Sequence, residues 1–259
     1  HALLPMVTDS LHMRLETDLD LRAKFNAWAI TQGIAGDYKD RDYALAIARQ
    51  IIYRLLGKIL FYQGLRRAAR QLPALKLDDV DPSQVLPILR RAFAEALKVD
   101  YHAVFSEDLP DTLSWPGEAA KRLASLIHDF NTRDFSSLPQ DVVGTVFERL
   151  IPPEDRHLLG QYFTNEPLCD LGIAFCVQSP SAMVADLTCG TGTFLIRSYD
   201  RKRWLGNHDH ANLLSQLWGI DIAPFPAELA VINLFRQNLT AAGNFPRIAC
   251  RDVLTIKPG

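Results

Sequence analysis

From Asp186 to Leu195 the chain reads Asp-Leu-Thr-Cys-Gly-Thr-Gly-Thr-Phe-Leu. A carboxylate, the Thr188 hydroxyl and the glycines Gly190 and Gly192 fall close together, just after an apolar run from Ala182 to Ala185 that predicts a short buried strand. Apolar residues resume after Gly192 at helical length, so the segment is a strand, a tight glycine loop and a helix. Such a unit offers backbone N–H groups and a helix N-terminus at the carboxyl edge of a parallel sheet, where open α/β folds bind their ligands. The two glycines let the chain turn with positive φ and let a ligand approach bare backbone. Two phosphate chemistries fail on the residues themselves. A dinucleotide fingerprint requires a third glycine where this sequence has Leu195, and a phosphate-cradling P-loop requires a lysine that is missing here. The loop suits instead a ligand with a cationic amino-acid end and little phosphate charge.

Two more acids recur in the same kind of place. Leu217-Trp218-Gly219-Ile220-Asp221-Ile222 predicts a second short strand ending in a carboxylate, followed by a helix opened by Pro224 and Pro226 that buries Leu229, Ala230, Ile232 and Leu234. Arg247-Ile248-Ala249-Cys250 predicts a third strand leading to Asp252. A lone aspartate at a strand end is commonly a cap or turn residue. Three in succession form a pattern. Ahead of the loop, Gly160-Gln161-Tyr162-Phe163-Thr164-Asn165 reads as a turn with an aromatic pair, then a Thr or Asn that can cap a helix from Leu168 to Gln178. Aromatic faces attract a cation, and the Thr164 hydroxyl can bind a carboxylate. Arg201-Lys202-Arg203, at the end of the helix after the loop, reads as a solvated helix end.

In their order and spacing these motifs resemble the class I S-adenosylmethionine-dependent methyltransferases, and more narrowly the adenine-N6 DNA methyltransferases of restriction and phage-defence systems. The cofactor loop of that family runs Asp-Pro-x-Cys-Gly-Ser-Gly-x-Phe-Leu, and here Leu187 stands where the family has proline. Its Gly-x-Tyr/Phe-Phe/Tyr-Thr-Pro segment is matched from Gly160 to Thr164, with Asn165 in place of proline, after Glu148-Arg149-Leu150 and Pro152-Pro153. The resemblance covers about residues 142 to 254 well. It implies S-adenosylmethionine as cofactor and assigns Gln161, Tyr162, Phe163, Thr164, Asp186, Thr188, Gly190, Gly192, Asp221 and Asp252 to its pocket. Asp221 would accept from both ribose hydroxyls, and Asp252 would lie near the adenine amino group. The implied reaction is methyl transfer to the exocyclic nitrogen of a flipped-out adenine, worked by an Asn/Asp-Pro-Pro-Tyr/Phe tetrapeptide after a fourth strand. No such tetrapeptide occurs in these 259 residues. The resemblance therefore implies the N-terminal portion of such an enzyme, with no catalytic residue of its own and no activity by itself. Double-stranded DNA, reached mostly through parts beyond this sequence, and specificity and nuclease subunits are the implied partners.

The elements that must position these residues divide into an N-terminal α-helical bundle over residues 1–135 and an α/β part over residues 136–259, the first three strands of a partial Rossmann-like class I methyltransferase sheet. In the helical part, Tyr43 to Arg70 repeats apolar residues at three and four from Ala44 to Tyr62, and further helices are expected over Gln84–Lys98 and Pro116–Phe130. A short helix is expected from Val142 to Ile151. With 48% hydrophobic residues the chain can bury a sizeable core, and its net charge of −2 argues against a surface given over wholly to nucleic acid. The four cysteines lie between Cys169 and Cys250 without Cys-x-x-Cys pairing, so reduced thiols and no metal site are expected. No apolar run approaches the roughly eighteen residues of a membrane span, which makes a cytoplasmic protein without membrane partners the expectation. Two rival functions fit the same residues: a class I methyltransferase fragment acting on RNA or protein, and a non-catalytic assembly module whose helical part docks a partner subunit.

Overall fold

The structure is a computed structural model describing residues 2–32, 34–68, 71–98, 101–132, 164–238, 241 and 244–256. The chain forms two compact units, His1–Asp155 and Arg156–Gly259. The helix expected from Val142 to Ile151 lies outside the described residues.

The first unit contains α1 (Leu3–Thr17), α2 (Leu19–Thr31), α3 (Arg41–Ala68), α4 (Pro82–Leu97), α5 (His102–Phe105) and α6 (Gly117–Thr132). Periodicity had singled out α3, α4 and α6 but not the first two. Asp18 separates α1 from α2: its backbone is extended, and its side chain accepts from Leu21 N–H at 3.0 Å as the N-cap of α2. Every apolar residue of the expected α3 stripe, from Ala44 through Ile51 and Ile59 to Tyr62, is buried. The burial extends round the helix and takes Arg54 and Lys58 inside as well. Buried charges are tolerated when paired and hydrogen-bonded. Arg54 meets Asp108 at 2.6 Å, where Trp28 Nε1–H also donates at 2.7 Å, and Lys58 meets Asp111 at 2.6 Å. The two aspartates close a capping box on the 3₁₀ turn Leu109–Thr112. Burial alone would raise the Asp108 carboxyl, but the Trp28 and Arg54 donors hold it below its ordinary range.

Among the described residues the second unit contains α7 (Glu166–Cys176), β1 (Val184–Asp186), α8 (Thr193–Trp204), α9 (His210–Ser215), β2 (Leu217–Asp221), α10 (Pro224–Phe235) and β3 (Arg247–Cys250). The sheet is parallel in the order β1-β2-β3, with Asp186 opposite Gly219 and Asp221 opposite Cys250. Because consecutive crossovers of one hand step across the sheet in one direction, their helices fall on one face. Accordingly Leu195 and Tyr199 of α8, Leu213 and Leu214 of α9, and Ala230 and Leu234 of α10 share one core with Leu217, Val184 and Ile248. The alternate residues Ala185, Trp218, Arg247 and Ala249 remain exposed, with the Arg247 guanidinium 4.6 Å from the Trp218 ring centroid. This corrects the expectation of a buried strand over Ala182–Ala185. The run is apolar, but the described residues cover only one of its faces, and Ala185 points to the other.

A second correction concerns Arg201-Lys202-Arg203. Arg203 is exposed, and Arg201 lies 4.4 Å from the Trp204 ring, yet Lys202 is 0% exposed. Its ammonium donates to the Ala182 carbonyl at 2.7 Å and to Gln216 Oε1. The helix end is solvated on one side only. Burial pushes the Lys202 amine down to about 8 from the usual 10.5. The folded state therefore sheds this proton before the unfolded chain does, and its stability is lower when the amine is charged. Unfolding free energy should rise by about 1 kcal/mol from pH 8 to 9. Above about pH 9 the gain is offset, because burial lifts the Cys189 thiol to about 12 and only the unfolded thiol ionises. Urea unfolding across this range checks the rise, which should vanish in Lys202→Met.

A buried network ties α8 and α9 to the segment after α10. Asn244 donates its amide to the Phe235 and Asn238 carbonyls at 2.9 and 2.8 Å, which turns Oδ1 toward His210 Nε2 at 2.9 Å. His210 Nε2 therefore carries the proton, and Nδ1 accepts from Tyr199 O–H at 2.8 Å. Burial depresses the imidazole and keeps it neutral.

Candidate ligand site at the strand tips

The register of the sheet builds the site. Asp186 pairs with Gly219, so β2 runs two residues further and its tip stands about 7 Å beyond that of β1. The chain leaving β1 climbs along this overhang. Cys189 N–H donates to the Ile220 carbonyl at 2.8 Å, and Gly190 N–H donates to Asp221 Oδ2 at 2.8 Å. The other Asp221 oxygen, Oδ1, accepts from Ala223 N–H at 2.9 Å and fixes the entry to α10. One carboxylate thus holds the glycine loop on one side and the next helix on the other.

The loop then closes a turn, with Gly192 N–H donating to the Cys189 carbonyl at 2.8 Å. Gly190 has φ +53° while Thr191 is outside the left-handed region, the sign pattern of a type II′ turn, which favours glycine at that position. Gly192, the N-cap of α8, has φ +86° and is needed twice over, since a Cβ there would come within 3.2 Å of Ala230 Cβ. Among the described residues a Cβ at Gly190 would meet nothing within 4 Å, so they leave that side of the loop open. Among the described residues nothing accepts from Thr191 N–H.

Asp186 sits beneath the loop, and its Oδ1 accepts from Thr188 N–H at 3.2 Å. Burial, and then the Asp221 charge, raise its carboxyl despite that bond. The Cys189 thiol, buried and facing the Asp186 and Asp221 charges, stays protonated at neutral pH and packs rather than reacts. Among the described residues no group of three His, Cys, Asp or Glu could hold a metal ion. The arrangement offers hydrogen-bond acceptors at two half-buried carboxylates, an open backbone N–H and the N-terminus of α8.

Asp186, Thr188, Gly190, Gly192 and Asp221 are therefore brought together. Asp252 lies at the same edge, joined through Arg251 N–H to the Asp221 carbonyl at 2.9 Å, while its own carboxylate caps the 3₁₀ turn Val253–Thr255. Thr164 stands ahead of α7, with its carbonyl 3.8 Å from Cys169 Sγ. Gln161, Tyr162 and Phe163 lie outside the described residues. Asn165 occupies the N-cap position of α7 but makes no side-chain cap. Such a cap needs the N2 or N3 N–H, and here N2 is Pro167, which has none, and the N3 group of Leu168 donates to the Asn165 carbonyl at 2.9 Å. Sequence reasoning missed Asn233 on α10, whose amide donates to the Thr191 carbonyl at 3.0 Å. A polar residue one turn from Ala230, on a helix otherwise almost wholly apolar, is the signal that could have found it.

A parallel βαβ sheet whose glycine loop is answered by a carboxylate from the neighbouring strand tip defines the second unit as part of a Rossmann-like α/β fold. Residues 138–255 match the family model for N-6 DNA Methylase. The chain is also similar to a protein in a structure describing complex assembly and conformational transition of the type I R-M system, with 19% identity and a TM-score of 0.55 over 92% of this chain and 52% of that one. A second similar structure is a modification subunit of a putative type I restriction enzyme from Vibrio vulnificus YJ016, at 14% identity and a TM-score of 0.51 over 96% and 57% of the two chains. At these identities the likeness is one of fold, and the chain spans little more than half the length of each structure. Among the described residues no helix is long and apolar enough to cross a membrane.

Proposed function

We propose that the second unit binds S-adenosylmethionine at the strand tips, as part of an adenine-N6 DNA methyltransferase of a restriction-modification system. The observation that carries this reading is the Asp221 carboxylate, half-buried beside an open glycine loop and set where a nucleoside diol would be gripped. Each carboxylate oxygen spends one lone pair on a backbone N–H and keeps another for a hydroxyl. The residues present fit such a cofactor in charge and shape. The Thr191 N–H and the N-terminus of α8 are suited to its carboxylate, and Asp186 to its amino group. Gln161, Tyr162, Phe163, Thr164 and Asp252 complete the proposed pocket. When bound, the cofactor supplies the methyl group, and the residues of this chain orient it.

These 259 residues contain no Asn/Asp-Pro-Pro-Tyr/Phe segment, so by themselves they would bind the cofactor without transferring its methyl group. Double-stranded DNA and the specificity and nuclease subunits of a restriction-modification system are the proposed partners. Titration calorimetry of the full-length protein with S-adenosylmethionine should give one-to-one binding, and radiolabelled methyl transfer should favour double-stranded DNA over RNA and protein. Absence of cofactor binding would reject the pocket. Transfer to RNA or protein in preference to DNA would reject the substrate.

A further inference from the structure

We infer that Asn233 is a positioning residue for the glycine loop: its amide selects the one orientation of the Thr191–Gly192 peptide that leaves the loop open to a ligand. The inference rests on the cofactor reading for its functional consequence and on geometry alone for its structural part.

A glycine on the C-terminal side of a peptide removes the usual steric barrier to flipping that peptide, because φ of either sign is accessible. The peptide between Thr191 and Gly192 is such a place. Two bonds hold it in the observed orientation, one at each end. Its N–H closes the turn on the Cys189 carbonyl at 2.8 Å, and its carbonyl accepts from Asn233 Nδ2 at 3.0 Å. The first bond is internal to the loop and moves with it. The second anchors the loop to a fixed body, since α10 is buried along Phe225–Ile232 and again at Leu234 and Phe235. Ala230, one turn before Asn233, lies beside Gly192, where an added Cβ would come within 3.2 Å of the Ala230 Cβ. Asp221 pins the entrance of the loop, Ala230 its floor, and Asn233 the orientation of its last peptide. If that peptide flips, the Thr191 carbonyl swings from α10 toward the open side beside Gly190, and an acceptor stands where the ligand needs donors.

The variant Asn233→Asp keeps size and shape but replaces the donor with a carboxylate, which repels the Thr191 carbonyl. Asn233→Ala removes the side chain and guards against a folding defect peculiar to the charged variant. Amide hydrogen exchange and titration with S-adenosylmethionine, both on the full-length protein, read the two halves of the inference. Exchange at the bonded loop amides of Gly190 and Gly192 should accelerate about tenfold while the amides of β2 and α10 stay protected, and cofactor affinity should fall about tenfold, the order of one net hydrogen bond. Unchanged loop exchange in both variants overturns the inference. So does faster exchange with full affinity, which would mean that the peptide orientation does not matter to the ligand. A parent protein that binds no S-adenosylmethionine, while its variants still show the faster exchange, would sink the cofactor reading and leave Asn233 as the loop anchor.

Discussion

Replacing Gly219 with valine should destabilise the second unit by about 3 kcal/mol, the upper part of the range for overpacking a closed core. Gly219 lies in the middle of β2 and faces the core shared with α8 and α10. A Cβ at this position would stand 2.5 Å from Ile248 Cδ1, 2.8 Å from Leu195 Cδ1 and 3.0 Å from Cys189 Sγ. Two opposing effects favour valine. It loses less backbone freedom than glycine on folding, and it suits a strand, each worth about 1 kcal/mol at most. They do not win. The nearest atoms approach from the adjacent strand, from α8 and from the loop, so relief in one direction worsens contact in another. Alanine is milder, because the Ile248 and Leu195 methyls can rotate away, and should cost about 1–2 kcal/mol. Urea midpoints with unchanged slopes would check both values, and a valine variant as stable as the parent would refute this account of the packing. Since Cys189 and Leu195 bound the glycine loop, any ligand affinity should fall with stability.

Asp221→Ala should lower S-adenosylmethionine affinity at least about a hundredfold while costing much less in overall stability. The carboxylate makes two charge-assisted bonds to backbone, at 2.8 Å to Gly190 N–H and 2.9 Å to Ala223 N–H, and in the proposed complex it also holds the diol. Water can reach this edge and replace part of the backbone bonding, which limits the stability loss, but water cannot reproduce the loop orientation. Asp221→Asn should fall between the parent and the alanine variant, because its amide nitrogen faces one of the two N–H donors. A readout independent of ligand comes from Asp186, whose carboxyl is raised by burial and by the Asp221 charge. Removing Asp221 should let Asp186 titrate at lower pH, as followed by NMR of its side-chain carbon. An unmoved Asp186 titration would contradict the coupling, and undiminished cofactor affinity would contradict the role proposed for Asp221.

The elements around the site were legible in the sequence because each rests on local physics. Gly190 and Gly192 announce a turn with positive φ, Pro224 and Pro226 open a helix, and the three-and-four spacing of α3 is a property of the segment itself. The carboxylates of Asp186 and Asp221 could also be read as neighbours, since alternating strands and helices force parallel crossovers and bring every strand end to one edge. The tertiary structure alone decided what depends on distant partners. The buried setting of Lys202 follows from the Ala182 carbonyl and Gln216, and the pairing of Arg54 with Asp108 spans 54 positions. The exposure of Ala185 follows from helices gathered on one face of the sheet, which an apolar run cannot reveal. Above all, the two-residue overhang of β2 past β1 puts the Asp221 carboxylate against Gly190 N–H and lets Asn233 reach Thr191. A strand register is set by which residues pack across the sheet, and it has no signature within either strand.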